Sequence, residues 1–163
     1  MANSSSINQL KEKIIRDIVS DPKIVEAIDK SKIDNPTELI NNNIFKFNKN
    51  PNALQETSTF ITVQVHLPEV SNNQTWMVAV IELWIVTENK NMIVDDIVGV
   101  SANRNDYISE LIDKKFNMKY NYADFDKIVL ERNVESNYAG NPDYLARQML
   151  FVTKDLNGTL CEE

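Results

Sequence analysis

The chain has 163 residues, enough for one domain with a sizeable core, and its 24 acidic against 17 basic side chains give a formal net charge of −7. That balance opposes a tight grip on a phosphate backbone, which depends on Lys and Arg displacing counterions, and three widely spaced glycines, Gly99, Gly140 and Gly158, build no phosphate cradle. A lone cysteine, Cys161, excludes a disulfide framework and a four-cysteine metal site and points to a reducing, intracellular compartment.

The chain opens with a stretch, "SSINQLKEKIIRDIV" (5–19), in which Ile7, Leu10, Ile14, Ile15 and Ile18 recur at helical spacing behind Ser4 to Ser6 as caps. An amphipathic helix is predicted there, and with no apolar run behind a basic cluster no signal peptide is expected. "SDPKIVEAIDKSK" starts a second short helix, with Ser20 or Asp21 as cap and Pro22 at an early position where its missing N–H does no harm. Asn35, Pro36 and Glu38 in "NPTELI" give a capping-box signal for a further helical turn. Turn chemistry around Pro51 marks 41–56 as irregular, yet the segment carries Ile44, Phe45, Phe47 and Leu54. Either it folds back onto the domain or it is an arm docking on a neighbouring subunit.

"TFITVQVHL" (59–67) alternates strictly, with Ile61, Val63, Val65 and Leu67 on one face and Phe60, Thr62, Gln64 and His66 on the other, and Pro68 follows. "TWMVAVIELWIVTE" (75–88) is apolar on both faces except at Glu82, which predicts a central strand covered on two sides and paired with the first as a hairpin. Glu82 also interrupts the longest apolar run, so no membrane span is expected. Beyond the loop "NKNMIVDDIVGVSA", the stretch "NRNDYISELIDKKFN" (103–117) places Tyr107, Ile108, Leu111, Ile112 and Phe116 on one side of a helix. "FDKIVLERNV" and "RQMLFVTKDL", joined by "ESNYAGNPDYLA", read as two more strands. This order predicts an α+β fold: a mainly antiparallel four-stranded sheet, one helix packed on it, and N-terminal helices. The expected organisation is a single domain, 1–163, with N-terminal helices in 1–34, a loop or arm in 35–56, a sheet-and-helix core in 57–155 and a C-terminal tail in 156–163.

No catalytic constellation emerges from the residue types. His66 is the only histidine, so any Ser/His or Cys/His chemistry must use it, and it lies on the more polar face of a strand without a nearby cysteine. Asp95 and Asp96 are adjacent, so in an extended segment they point apart. Asp124 and Asp126 would share a side, but a calcium loop needs further oxygen ligands and a glycine at its turn. The aromatic cluster Tyr120, Tyr122 and Phe125 suits core or interface packing better than base stacking, since the flanking charge is mixed. The expectation is therefore no enzyme, no cofactor and no metal. The alternative is a monomeric binding module in which His66 with Asp95, Asp96, Asp124 or Asp126 holds a metal or polar ligand.

The first turn of the 103–117 helix poses a separate question. Asn103 or Ser101 caps it and Asp106 complements the positive end of its dipole, but a cation at Arg104 is locally unfavourable. An arginine placed against local preference often has a partner elsewhere, and a carboxylate across a subunit interface is one candidate.

The succession of "NPTELINNNIFKF", "PNALQETSTFITVQV", a hydrophobic second strand, "NRNDYISELID" and "YLARQMLFVTKD" resembles small neck and tail-completion proteins of tailed bacteriophages, tail terminators among them. The shared pattern is an Arg, a spacer, an Asp and an apolar helix ending in Ile-Asp, between a hairpin and two further strands. Arg104, Asp106, Ile108, Ile112 and Asp113 occupy those positions, and the resemblance runs over 35–155. It implies a virion structural protein forming a ring, commonly a hexamer, that caps the tail tube or joins it to the neck. The implied partners are further copies of itself and the adjacent neck or stopper and tail-tube proteins. DNA would pass the channel without specific binding, no membrane would be involved, and the protein would reside in the host cytoplasm until assembly. Arg104, Asp106, Phe45, Phe47 and Leu54 are the expected interface residues.

Overall fold

Apolar side chains two residues apart point to the same side of an extended chain, and four long segments with that spacing become strands. The computed structural model describes residues 4–50, 58–70, 76–122, 125–138 and 141–156. Its helices are α1 (Ser4–Val19), α2 (Pro22–Ile28) and α3 (Arg104–Phe116). Its strands are β1 (Ile44–Phe45), β2 (Thr59–Val70), β3 (Trp76–Glu88), β4 (Tyr120–Tyr122), β5 (Phe125–Asn137) and β6 (Tyr144–Leu156). Short 3-10 turns occupy Lys30–Lys32, Pro36–Leu39 and Asn89–Asn91.

The strands join in the order β1-β2-β3-β6-β5-β4, with β1 parallel to β2 and every other pair antiparallel. The four predicted strands are all present, as is the β2–β3 hairpin, but the expected four-stranded antiparallel sheet is corrected to a mixed sheet of six. The two additions are too short to carry a periodic signal. β1 exists because buried Asn43 ties it down: its carbonyl accepts from Ile61 N at 2.7 Å and its side-chain amide donates to the Thr59 carbonyl at 3.0 Å.

One face of the sheet, with Ile61, Val63, Ile81, Leu83, Ile85, Ile128, Met149 and Phe151, packs against Ile14 and Ile18 of α1 and Ile108, Ile112 and Phe116 of α3. Two helices therefore cover this face, where one was expected: α1 lies against β2 and α3 against β3, β5 and β6, while α2 bridges α1 and α3. On the opposite face the described residues Phe45, Phe60, Val86, Tyr138 and Ala146 form a second, smaller buried cluster. β3 is central, and among the described residues Val78, Val80, Glu82 and Trp84 on that face are half-buried.

The predicted cap of α2 is present, with Asp21 Oδ1 accepting from Lys23 N at 3.1 Å and Ile24 N at 3.4 Å. The capping box at Asn35 is not made: Asn35 contributes no side-chain cap, and the Glu38 carboxylate meets Lys32 Nζ at 2.7 Å instead. Among the described residues no helix is long and apolar enough to cross a membrane.

Candidate functional site

The two ends of α3 gather the residues singled out in the sequence. Asn103, not Ser101, is the N-cap: its Oδ1 accepts from Asp106 N at 2.9 Å, and its amide donates to Asp106 Oδ2 at 2.7 Å. The side chain of Arg104 is only 9 % exposed. Its Nε donates to the Asn91 carbonyl at 2.9 Å, its Nη1 to the Ala27 carbonyl at 2.9 Å and its Nη2 to Asp96 Oδ1 at 2.6 Å, while its backbone N–H reaches the Met92 carbonyl at 2.8 Å. The carboxylate expected across an interface thus lies within the chain. The hydrogen bond from Arg104, working against partial burial, holds the Asp96 carboxyl below the usual aspartate range.

This guanidinium fastens the loop between β3 and α3 to the end of α2. Lys30 adds a bond from Nζ to the Asp96 carbonyl at 2.8 Å. Gly99 takes φ +84°, a left-handed conformation that glycine adopts without a Cβ penalty. The loop so fixed presents Ile93 at 79 % and Val98 at 102 % exposure. Beside it a cleft of about 870 Å³ is lined by Asp29, Lys32, Asn43, Ser58, Asp96 and Arg104. Two of its charges are paired, Asp96 with Arg104 and Lys32 with Glu38, and Asp29 accepts from the Ser31 N–H and hydroxyl.

Asp106 does more than complement the dipole. It receives the guanidinium of Arg147, which also bonds Asn133 Oδ1 at 3.0 Å and Glu135 Oε1 at 3.3 Å, joining α3 to β5 and β6. Buried Asn105 donates to the Leu145 carbonyl at 3.0 Å. Sequence reasoning missed Asp96 as the partner of Arg104 and missed Arg147 altogether.

At the other end of α3 aromatic packing stands beside a few polar ties: Lys115 Nζ lies 3.7 Å from Asp21 Oδ2, and Asn117 Oδ1 accepts from Leu130 N at 2.9 Å. The Phe116 ring lies 5.8 Å from Tyr122 and 6.3 Å from Phe151. Tyr122 is buried and donates from its hydroxyl to Asp17 Oδ2 at 2.5 Å; burial, then that bond, push its pKa up. Just beyond, Met118 (φ +61°) and Tyr120 are 52 % and 61 % exposed. Lys127 Nζ sits 5.1 Å from the Tyr120 ring and Lys119 Nζ 5.1 Å from the Tyr122 ring.

The remaining candidates are dispersed. Phe45 is buried in the smaller cluster, whereas Phe47 is 54 % exposed, its ring 5.8 Å from Phe45 with Lys49 Nζ 5.9 Å above it. Leu54 lies outside the described residues, as do Asp124, the side chains of Phe125 and Asp126, and Cys161. His66 Nε2 is 2.9 Å from Glu82 Oε2, and Glu82 Oε1 accepts from Trp84 Nε1 and Gln148 Nε2, each at 2.7 Å. Burial works to raise the Glu82 pKa, and the bonds from Gln148, His66 and Trp84 outweigh it, so the carboxyl lies below its ordinary value. Asp95 is exposed. Among the described residues no group of three His, Cys, Asp or Glu side chains forms a metal cluster.

The family model YomW matches residues 12–153. A chain from the virion of a native gene transfer agent (GTA) particle shares the fold, with a TM-score of 0.56 at 10 % identity over 94 % of this chain and 99 % of that one. No curated protein matches the sequence.

Proposed function

The chain belongs to the YomW family, and we propose that it is a structural protein of a phage-type virion. In this reading it forms a ring, commonly of six copies, at the head–tail junction, where it caps the tail tube or joins it to the neck. The observation that carries the proposal is the end-to-end likeness of fold to a chain of a virion particle. The order of hairpin, Arg104/Asp106 helix and two further strands supports it independently, through its resemblance to tail-completion proteins.

The polar groups at α3 suit assembly rather than chemistry. Arg104 and Asp106 are tied to the chain's own carbonyls, Asp96 and Arg147, so their part in an interface is to position the segments that make it. Phe47, exposed beside Lys49, is the arm residue that would meet a neighbouring subunit. The formal net charge of −7 suits a channel wall that lets DNA slide past.

Disrupting the gene in the phage-type element that carries it tests the reading. Electron microscopy of the products is expected to show separate heads and tails, and mass spectrometry to find the protein in intact wild-type particles. Intact, joined particles without the protein would contradict it.

A further inference from the structure

Arg104 raises a physical question beyond its own bonds. A buried guanidinium is desolvated at considerable cost unless its donors are satisfied, and here three of them hold the Asn91 and Ala27 carbonyls and Asp96. The result is a fixed loop whose most prominent side chains, Ile93 and Val98, are aliphatic and face solvent. Between them stands Asp95, exposed and without an opposite charge among the ion pairs of the described residues. A rigid apolar projection with one free carboxylate is pre-organised to dock, because its ordering cost is met before a partner arrives.

The complementary surface lies past the other end of α3. Met118 and Tyr120 are exposed there, and Lys119 and Lys127 flank them, stacked on the Tyr122 and Tyr120 rings with no carboxylate partner among the described residues. Both patches are apolar, and the charges beside them are opposite in sign. The 13 residues of α3 separate them by about 20 Å, so within one copy they cannot meet.

We infer that the loop carrying Ile93, Asp95 and Val98 of one copy docks on the Met118–Tyr120 patch of the next, with Asp95 facing Lys119 and Lys127. Two different surfaces at opposite ends of a molecule make a head-to-tail contact, which closes into a ring when the rotation per copy allows. The inference rests on the ring reading above and assigns that ring its contact surfaces.

The test is sedimentation of the full chain across a concentration series. Wild type is compared with Ile93→Ser/Val98→Ser, Asp95→Lys, Lys119→Glu/Lys127→Glu, and the last two combined. Ile93, Asp95, Val98 and Lys119 are exposed and Lys127 is half-buried, and unchanged thermal melts will confirm that the variants fold. The serine pair is expected to weaken association about 100-fold or more, and each charge reversal about 10-fold, with the combination recovering most of the loss. If wild type assembles and the serine pair assembles equally well, or the combined reversal recovers nothing, the assigned surfaces are wrong and the ring reading stands. Wild type that stays monomeric up to about 1 mM overturns both.

Discussion

At its N-terminal end α3 is held by the guanidiniums of Arg104 and Arg147, their carboxylate partners Asp96 and Asp106, and the carbonyls of Asn91, Ala27, Met92 and Leu145; at its C-terminal end the rings of Phe116, Tyr122 and Phe151 pack together. Aromatic packing tolerates small shifts and responds little to pH. Directional bonds to Arg104 fix the orientation of an attached segment, and one of them depends on a charged carboxylate. The polar end is therefore suited to hold a loop in one pose, and the apolar end to anchor the helix in the core.

Substitutions can separate the two roles. Phe116→Ala should have the largest effect, a loss of about 3–5 kcal/mol in urea unfolding, because it removes a buried ring and leaves a cavity. Arg104→Met should cost about 2–4 kcal/mol by leaving the Asn91 and Ala27 carbonyls and Asp96 without their donor. Hydrogen exchange would tell the two apart. Arg104→Met is expected to expose 91–98 preferentially, Phe116→Ala to raise exchange across the core, and equal patterns would remove the distinction. Arg104→Lys should recover only part of the loss, since one ammonium cannot span three acceptors.

Acid is the next lever. The folded-state pKa of Asp96 is lowered by Arg104, so its contribution is full above the ordinary aspartate value near pH 4 and is lost as pH falls through the lowered folded value. Asp96→Asn is expected to flatten the fall in stability below about pH 4, while Phe116→Ala keeps the wild-type slope. Glu82 is lowered too, so the flattening will be partial. An unaltered acid limb in Asp96→Asn would show that the Arg104 pair is not what the acid breaks. Asn103→Ala should cost about 1 kcal/mol as the loss of an N-cap. Val98→Ser should stay within about 0.5 kcal/mol, because the side chain touches no core.

Periodic features were legible in the sequence. Strict alternation in 59–67 and the spacing of Ile108, Ile112 and Phe116 record regular elements with a side in the main core, and the apolar run of 75–88 records a central strand. The cap at Asp21 was legible because it is local. β1 was not, since a two-residue parallel strand is made by its partner and by Asn43. Nor were the partners of Arg104: Ala27 is 77 residues away, and Asp96, eight residues away, sits beside Asp95 in a loop without pattern. Only the misplacement of a cation in a first helical turn signalled that such partners existed. Phe45 and Phe47 look alike in sequence, yet one is buried and the other exposed; that difference belongs to the tertiary fold.

In the inferred ring, copies join through opposite ends of α3. This contact is tested most directly by cross-linking a chain carrying Val98→Cys and Met118→Cys in a Cys161→Ser background, followed by a non-reducing gel. The expected result is a ladder that stops at one closed species of about six copies, with neither single-cysteine chain passing a dimer. A double-cysteine chain that also stops at dimers, or remains a monomer, would contradict it.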